Sequence, residues 1–292
     1  MADRPRFGPA GIPLSFSESK APTSALPQFL REEGLDALEY EAVRWGQRPQ
    51  IKQVEAERLG INAAKHDVWL TIHGSYYINL LGSTETLEAS KNRLIACATA
   101  AQWMKAHTIT FHPGYYSQRR SRKHDLQLCI KALKEVAQSL KTMSIETNLG
   151  PETAGKLSQL GSLEEVIVIC EAVEQTEPVI DWGHLHARLR GNLRTANDFQ
   201  KVIEEIENRL SSTAAKNLHC HFSHVEFTFR GERRHHPLEN PRYGPKFESL
   251  AEVIAKLDLN PVIISESPLP DEDAKRMRDI VLEKLKTHQL LQ

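Results

Sequence analysis

Side chains that commonly bind metal ions recur along this chain of 292 residues at intervals of 34 to 45 residues, each at the end of a short apolar run. A parallel strand with its return helix and two loops needs at least ~30 residues. The spacing therefore predicts one histidine or acidic side chain at the carboxyl end of strand after strand. In a closed (β/α)8 barrel those strand ends converge on one mouth, where they would form a single polydentate site. The six residues are His73, His112, Glu146, Asp181, His221 and Glu266.

Eight short apolar segments alternate with stretches of helical periodicity, which is typical of a parallel α/β sheet covered on both faces. Strands are predicted at residues 6–12, 37–41, 68–73, 108–112, 143–146, 178–181, 217–221 and 261–266. Helices are predicted at residues 83–105, 125–141, 162–173, 195–210, 247–257 and 271–291. The length suits one barrel of about 250 residues with modest insertions. We therefore predict an α/β protein with a single (β/α)8 TIM-barrel domain over residues 1–292.

Bulk composition limits the classes of function and the compartment. The formal net charge of -1 argues against a globally basic coat for nucleic acid, although local basic loops remain compatible with it. The four cysteines lie singly in apolar stretches, which favours buried free thiols in a reducing compartment. The first residues lack a signal-peptide core, and no apolar run approaches 18 residues. We expect a cytoplasmic location and no membrane partner.

Further ligand-type side chains fall in the segments that follow the predicted strands. These additional candidates are His184, Glu232 and His235. Imidazole and carboxylate together suit Zn²⁺, with Mn²⁺ or Fe²⁺ as alternatives. So many ligands exceed the needs of one ion, and two ions ~3.5–4 Å apart are the arrangement used by phosphatases and nucleases. Glu146 is central enough to be the carboxylate shared by two ions. His219 shares the face of His221 by the two-residue strand period and is predicted to lie one layer deeper.

Basic and aromatic side chains are concentrated in three loops that follow strands. The arginines are Arg119, Arg120 and Arg122 in the first loop, Arg188, Arg190 and Arg194 in the second, and Arg230, Arg233, Arg234 and Arg242 in the third. The aromatic residues are Tyr76, Tyr77, Tyr115 and Tyr116. Arginine and aromatic rings are the side chains that hold phosphates and unstacked bases. Three clusters on one face of the barrel favour a polyanionic partner.

Between about residues 73 and 268 the chain resembles the endonuclease IV family of abasic-site nucleases. The motifs that carry the resemblance are IHGSYYINLLG, TFHPGYY, IET followed by TAGK, VIDWGH, HCHF, ERRHH and ISESP. The resemblance implies a (β/α)8 barrel with a trinuclear zinc cluster that binds damaged double-stranded DNA. It further implies DNA repair by base excision, with zinc-activated hydroxide cleaving the phosphodiester 5′ of abasic sites, and trimming of blocked 3′ ends.

The same resemblance implies a distribution of ligands among the ions. Ligands of a first zinc would be His73, His112 and Glu146, and those of a second Glu146, Asp181, His221 and Glu266. The third zinc would be bound by His184 and His235, where Arg233 replaces the aspartate of the family and Glu232 is the candidate substitute. The chain would then hold two or three ions. Glu146 and Glu266 are the residues whose replacement by glutamine is expected to abolish cleavage.

Other residues are predicted to contact the DNA. Tyr76 matches the tyrosine that the family inserts at the abasic gap, and Arg44, or alternatively Arg48, matches its intercalating arginine. Arg119 and Arg120, in the first arginine cluster, are predicted to contact the DNA backbone. The chain is expected to act as a monomer.

Two other functions stay open. Sugar isomerases and epimerases of the same barrel superfamily also place Glu, Asp and His at strand ends, usually around one or two divalent ions. Fewer ligands and a closed, sugar-sized pocket would favour that function. The second alternative is a non-catalytic DNA-lesion binder that retains zinc mainly for stability; binding to an abasic duplex without incision would favour it.

Overall fold

Eight parallel strands form a closed barrel in the computed structural model, which describes residues 2–291. The strands are β1 (Arg6–Pro9), β2 (Ala37–Glu41), β3 (Trp69–His73), β4 (Thr108–Phe111), β5 (Gly114–Tyr115), β6 (Asn148–Pro151), β7 (Gln159–Leu160), β8 (Val179–Asp181), β9 (His219–Phe222), β10 (His224–Thr228), β11 (Gly231–His236) and β12 (Val262–Ser265). The wall consists of two parallel sheets, in the orders β2-β3-β4-β6 and β1-β12-β9-β8.

Single parallel bridges join the two sheets at both edges and so close the barrel. Ala10 pairs with Glu39 beside β1 and β2, and Glu152 pairs with Val179 beside β6 and β8. The backbone amide of Gly11 also donates to the carbonyl of Glu39, at 2.9 Å. Because the wall strands are all parallel, their carboxyl ends open on the same mouth. The predicted α/β barrel is confirmed.

Wall strands are buried on both faces, as apolar strands of a parallel sheet should be. Strands β1, β4, β9 and β12 are buried at every position. The cysteines follow the same pattern, since Cys97, Cys129 and Cys220 are buried and Cys170 is partly buried, and all four are free thiols. The prediction of buried free thiols is thus confirmed for three of them.

The fifth wall strand lies later in the chain than predicted. Helix α5 continues to Thr142, and Ser144 then adopts a φ of 55°, so that residues 143–146 form the turn that leads into β6. The strand itself reads NLGP, a composition with low strand propensity. Gly150 is required there, because a Cβ atom at this position would lie 2.6 Å from Val179 Cγ2 and 2.7 Å from Thr108 Cγ2. The other seven predicted strands are confirmed, with small differences at their ends.

Helices return the chain between the strands and cover the outside of the barrel. They are α1 (Leu14–Glu18), α2 (Leu26–Glu32), α3 (Gln53–Lys65), α4 (Thr84–Met104), α5 (Arg122–Thr142), α6 (Leu163–Ala172), α7 (Trp182–Arg188), α8 (Ala196–Arg209), α9 (Ser212–Lys216), α10 (Phe247–Lys256) and α11 (Pro270–Leu291), with a 3-10 turn at Thr23–Ala25. The six predicted helices are confirmed. Helix α3 escaped prediction because its buried face consists of Ala56, Leu59, Gly60 and Ala63, which give a weak apolar period. Within residues 2–291, no helix is both long and apolar enough to cross a lipid bilayer.

Two antiparallel strand pairs and one short helix occupy the loops at the mouth. Strand β5 pairs with β7, and β10 pairs with β11. Helix α7 begins directly after β8, because the Asp181 side chain accepts from the backbone amide of His184 at 2.5 Å and so caps the helix. The long loops predicted on this face therefore contain ordered elements, and α7 and β11 each carry side chains into the mouth.

Candidate metal centre

The barrel brings ligand-type side chains from eight separate elements or loop positions to one mouth. His73 ends β3, His112 follows β4, Glu152 follows β6, Asp181 ends β8, His184 lies on α7, His221 lies in β9, His235 lies in β11 and Glu266 follows β12. Seven of these eight residues are among the predicted ligands. They are separated by up to 193 residues in sequence, from His73 to Glu266, so only the closed barrel explains their proximity.

Glu152 lies at the centre of the group. Its Oε2 atom is 3.6 Å from His73 Nε2 and 3.3 Å from His112 Nε2, whereas its Oε1 atom is 3.3 Å from His184 Nδ1 and 3.2 Å from His221 Nδ1. Tetrahedral ligands that each lie ~2.0–2.1 Å from a Zn²⁺ ion are about 3.3 Å from one another. The carboxylate therefore has the position of a ligand shared between two sets of histidines.

The buried oxygens of these acids lack the hydrogen bonds that a buried carboxylate needs. Both oxygens of Glu152 and the Oδ2 atom of Asp181 are shielded from solvent without a well-directed hydrogen bond among the described residues. A buried charge is normally paired or coordinates a metal ion, since leaving it uncompensated costs several kcal/mol. These atoms fit a bound cation.

The prediction that Glu146 is the shared carboxylate is wrong. Glu146 is exposed at the amino end of β6 and lines a surface cleft with Lys134 and Lys141. Glu152, at the carboxyl end of the same strand, takes the position expected of it. The sequence contained a signal for this residue, because Glu152 directly precedes Thr-Ala-Gly-Lys, whereas Glu146 is separated from that motif by six residues.

Among the described residues, five groups of ligand atoms lie within 4.8 Å of one another; two of them include the buried Glu39, and the other three are formed by the eight side chains at the mouth. These three groups are His73, His112 and Glu152; Glu152, Asp181, His221 and Glu266; and His184, His235 and Glu266. Glu152 belongs to the first two and Glu266 to the last two. Each group has the size and the donor atoms of one divalent-metal site.

Acids and imidazoles in the centre shift the pKa values of one another. Burial raises the pKa of Asp181 to about 6, although His184 opposes that shift. For Glu266, burial works to raise the pKa, but His221 lowers it to about 2. Burial likewise works to lower the pKa of His73, and Glu152 raises it to about 9. Glu152 thus favours the protonated form of His73, whereas burial lowers the pKa of His112 to about 4. A cation that binds beside His73 would displace its proton.

Glu232 and Arg233, the two residues considered for the third predicted zinc site, point in different directions. The Glu232 side chain is 12% exposed and lines the mouth, with its Oε1 atom 4.0 Å from His235 Nε2 and its Oε2 atom 3.8 Å from Lys156 Nζ. Arg233 instead turns outward, is 67% exposed and pairs with Glu226 at 2.7 Å. Glu232, rather than Arg233, therefore faces His235.

Of the side chains predicted to bind DNA, only some are exposed and free to do so on the rim around the centre. Tyr76 is 60% exposed and packs its edge on His73, at 5.4 Å between ring centroids. Arg44 is exposed in the neighbouring loop, whose Val43 carbonyl accepts from the amide of Tyr76 at 2.9 Å. Arg119 is exposed as well. Arg120, however, is bound to Asp125 at 2.6 Å and to the carbonyl of Leu81 at 2.6 Å, so it holds the loop.

A cavity of about 260 Å³ opens between the metal-ligand groups and this rim. Its lining includes His112, His184, Glu266, Tyr76, Tyr115 and Lys156. The cavity is thus lined by ligand-type side chains together with aromatic and basic ones. A phosphate or a sugar hydroxyl that entered the cavity would meet both kinds of side chain.

Below the ligand layer, sequence reasoning missed one acid. Glu39 lies in the middle of β2, is fully buried and points to the barrel axis, where its Oε1 atom is 2.9 Å from His221 Nε2. The Nε2 atom of His219 donates to the other oxygen of Glu39 at 3.1 Å, so His219 lies one layer deeper than His221, as predicted. A glutamate inside an apolar strand run was the signal that Glu39 has a specific partner.

Comparisons with known proteins agree with this architecture. A family model described as xylose isomerase-like TIM barrel matches residues 27–285. An uncharacterized protein of Methanocaldococcus jannaschii is 32% identical over 270 residues, which cover 92% of this chain and 93% of that protein. Endonuclease IV from Thermus thermophilus superposes with a TM-score of 0.71 at 18% identity, over 97% of this chain and 100% of that one. A D-tagatose 3-epimerase-like protein superposes with a TM-score of 0.69 at 17% identity, over 97% and 98% of the two chains. At these low identities the two superpositions show a shared fold. One of the two proteins is a nuclease and the other is epimerase-like.

Proposed function

Because the chain belongs to the family of xylose isomerase-like TIM barrels, we propose that it is a metal-dependent hydrolase that cleaves the DNA backbone 5′ of abasic sites. The observation that carries the proposal is the set of eight ligand-type side chains, which form three overlapping groups around Glu152 and Glu266. Zn²⁺ is the ion that this mixture of imidazole and carboxylate suits best, and the three groups would hold two or three ions. The resemblance to endonuclease IV, predicted from the motifs, extends to the whole fold.

Cations bound in these groups would polarise a phosphoryl oxygen and lower the pKa of a water molecule, which is the chemistry of metal-assisted phosphodiester hydrolysis. Glu152 keeps the first two groups together, because its two oxygens face different histidines. Glu266 connects the second group with the third in the same way. The chain therefore supplies a preorganised set of acceptors on one side of the cavity.

The rim supplies recognition. Tyr76 is both exposed and supported by His73, so its ring can enter a duplex where a base is missing. Turning a sugar out of the helix costs least where no base pair must break, which by itself selects abasic sites. Arg44 and Arg119 are placed beside this ring and on the first arginine loop, where they would contact phosphates. Trimming of blocked 3′ ends would use the same cavity.

A sugar epimerase is the second candidate, and a specific observation favours it. The group of Glu152, Asp181, His221 and Glu266 is sufficient by itself for one divalent ion, and the cavity of about 260 Å³ is large enough for a monosaccharide. The four additional histidines at the mouth argue for the nuclease, since a single-ion site does not need them. They are His73, His112, His184 and His235.

The decisive experiment compares two glutamates of one strand. Purified wild type, Glu152→Gln and Glu146→Gln are incubated with a labelled duplex that carries one tetrahydrofuran abasic analogue, with added Zn²⁺ and with or without a chelator. Replacing a residue that only hydrogen-bonds to a metal ligand lowers metal affinity or activity by about 10–100-fold. Because Glu152 is itself a proposed ligand, Glu152→Gln should lower the incision rate by more than ~100-fold. Glu146→Gln should incise like the wild type, because Glu146 lies at the other end of the barrel.

Parallel incubations distinguish the alternatives. Conversion of D-tagatose by the Mn²⁺-loaded wild type without any incision of DNA would favour the epimerase. Binding of the abasic duplex without incision under all metal conditions would favour a lesion-binding protein. Undiminished incision by Glu152→Gln would refute the placement of the site.

A further inference from the structure

The fully buried carboxylate of Glu39 has contacts that link it to one particular ligand of the metal centre. Its Oε2 atom accepts from the hydroxyls of Thr71 and Thr110, at 2.9 Å each, and from His219 Nε2 at 3.1 Å. Its Oε1 atom lies 2.9 Å from His221 Nε2.

His221 has acidic neighbours at both nitrogens of its ring. On the side opposite Glu39, its Nδ1 atom is 3.1 Å from Glu266 Oε1 and 3.2 Å from Glu152 Oε1. A neutral imidazole carries only one N–H and cannot donate in both directions. Either the ring is doubly protonated, or one nitrogen offers its lone pair to a cation.

The surroundings decide which nitrogen that would be. The Nδ1 side holds Glu152 and Glu266, and together with Asp181 these acids form the four-residue group around His221. On the Nε2 side, Oε2 of Glu39 is already occupied by three donors, which leaves Oε1 for His221. The two atoms lie 2.9 Å apart without a well-directed hydrogen bond, so the proposal includes a rotation of the imidazole that brings its N–H group onto Oε1.

We propose that Glu39 is a positioning residue of the metal centre, which accepts a hydrogen bond from the Nε2–H group of His221 and so turns the Nδ1 lone pair toward Glu152, Asp181 and Glu266. A carboxylate behind a ligating histidine fixes its tautomer and raises its basicity. Other ligand histidines have neutral partners in this role: His73 Nδ1 lies 2.8 Å from the carbonyl of Gly74, and His235 Nδ1 lies 2.9 Å from the Ser223 hydroxyl. The group that contains His221 should therefore bind its ion most tightly.

The inference rests on the metal centre of the proposed function but not on DNA as its substrate. It can accordingly be tested by metal binding, which gives an answer whether or not the protein incises DNA. A failure to incise by the fully metal-loaded wild type would count against the nuclease alone. Unchanged metal affinity after replacement of Glu39 would count against the inference alone.

The variants are Glu39→Gln, which preserves the shape of the side chain, and Thr71→Val, which removes one donor to Glu39 but leaves its charge and its contact with His221. Stripped proteins are titrated with Zn²⁺ against a chromophoric chelator, and their unfolding by urea is measured in the absence of metal. We expect Glu39→Gln to lower the affinity for one equivalent of Zn²⁺ by ~10–100-fold and to leave the affinities for the other equivalents unchanged. Thr71→Val should lower stability but retain the affinity of every equivalent.

Nitrogen-15 NMR of the histidine rings supplies a readout that general destabilisation does not change. The signals of the His221 ring are assigned by their absence in the His221→Asn variant. In the Zn²⁺-loaded wild type this ring should carry its proton on Nε2 and its metal on Nδ1. The inference is overturned if His221 binds through Nε2, or if Glu39→Gln binds all equivalents as the wild type does. It is overturned as well if the variant loses a whole equivalent at saturating Zn²⁺ with no loss of affinity elsewhere, because Glu39 would then itself be a ligand.

Discussion

Single side chains at the mouth of the barrel depend on one another for their charge. Glu39, Glu152, Asp181 and His221 are all fully buried, and an isolated buried ion costs several kcal/mol in real proteins. Acids and imidazoles alternate in space, so that the carboxylates are compensated partly by protonated histidines and partly, in our proposal, by cations. Replacement of any one of these side chains is therefore expected to change both the charge balance of the mouth and the stability of the fold.

Two neighbours in β11 test this dependence. Glu232→Gln should bind one equivalent of Zn²⁺ fewer, or bind it at least ~10-fold more weakly, because Glu232 faces His235 inside the mouth. Arg233→Ala should retain the full metal content, since Arg233 points to solvent and pairs with Glu226. Elemental analysis of both purified variants after dialysis measures the difference. Equal metal content in the two variants would exclude Glu232 as a further ligand beside His184, His235 and Glu266.

At this scale the sequence predicted most of the centre, and its two failures have physical reasons. Seven of the eight ligand-type side chains at the mouth were among the predicted candidates. Five of them close an apolar run, whereas His184 and His235 lie in segments that follow such runs. Glu152 was missed because the strand before it contains Gly150 and Pro151, which do not read as a strand. Glu39 was missed because its importance depends on Thr71, Thr110 and His219, which are brought together only by barrel closure.

Among the loops, arginine content did not distinguish side chains that recognise a ligand from those that hold the loop. Arg188 donates to the carbonyls of Ala154, Lys156 and Gln159, and Arg120 is tied to Asp125. These partners lie in separate segments, so the sequence alone could not reveal them. The arginine loops therefore combine structural and solvent-facing members, and the number of arginines overstates the number of phosphate contacts.

Arg119 and Arg120 make this distinction measurable within one loop. Arg119 is exposed, and within the part of the chain that the structure describes its side chain makes no hydrogen bond or ion pair. Arg119→Ala should thus leave stability unchanged and reduce the slope of log K for DNA against log salt by about 0.9. Arg120→Ala removes the ionic partner of the buried Asp125 and should lower the free energy of unfolding by about 3 kcal/mol. Fluorescence anisotropy at several salt concentrations and urea unfolding measure the two effects; a reversal between them would contradict the assignment.

For the whole molecule, the sequence predicted the class of fold through repetition. Any one of the eight apolar segments would be ambiguous, but their regular spacing with intervening helices is typical of a parallel barrel. Closure itself was harder to predict, because it depends on single bridges such as that between Ala10 and Glu39. The hairpin of β10 and β11 was predicted only as a long loop, since its strands GERRHH and HVEFT are polar.

Removal of metal is expected to weaken the entire barrel and not only the mouth, because the ligands come from wall strands on both sides of its closure. A ligand present at 100 times its Kd stabilises the folded state by about 2.7 kcal/mol, and for chains of 150–250 residues each kcal/mol corresponds to roughly 2–4 °C in Tm. Stripping the wild type with a chelator and removing the chelator should therefore lower Tm by roughly 5–10 °C per ion, and added Zn²⁺ should restore it. Glu152→Gln serves as the control, and its Tm should respond much less. A Tm that is identical before and after verified loss of metal would show that the acids are compensated without cations, and the proposed centre would then have no role in stability.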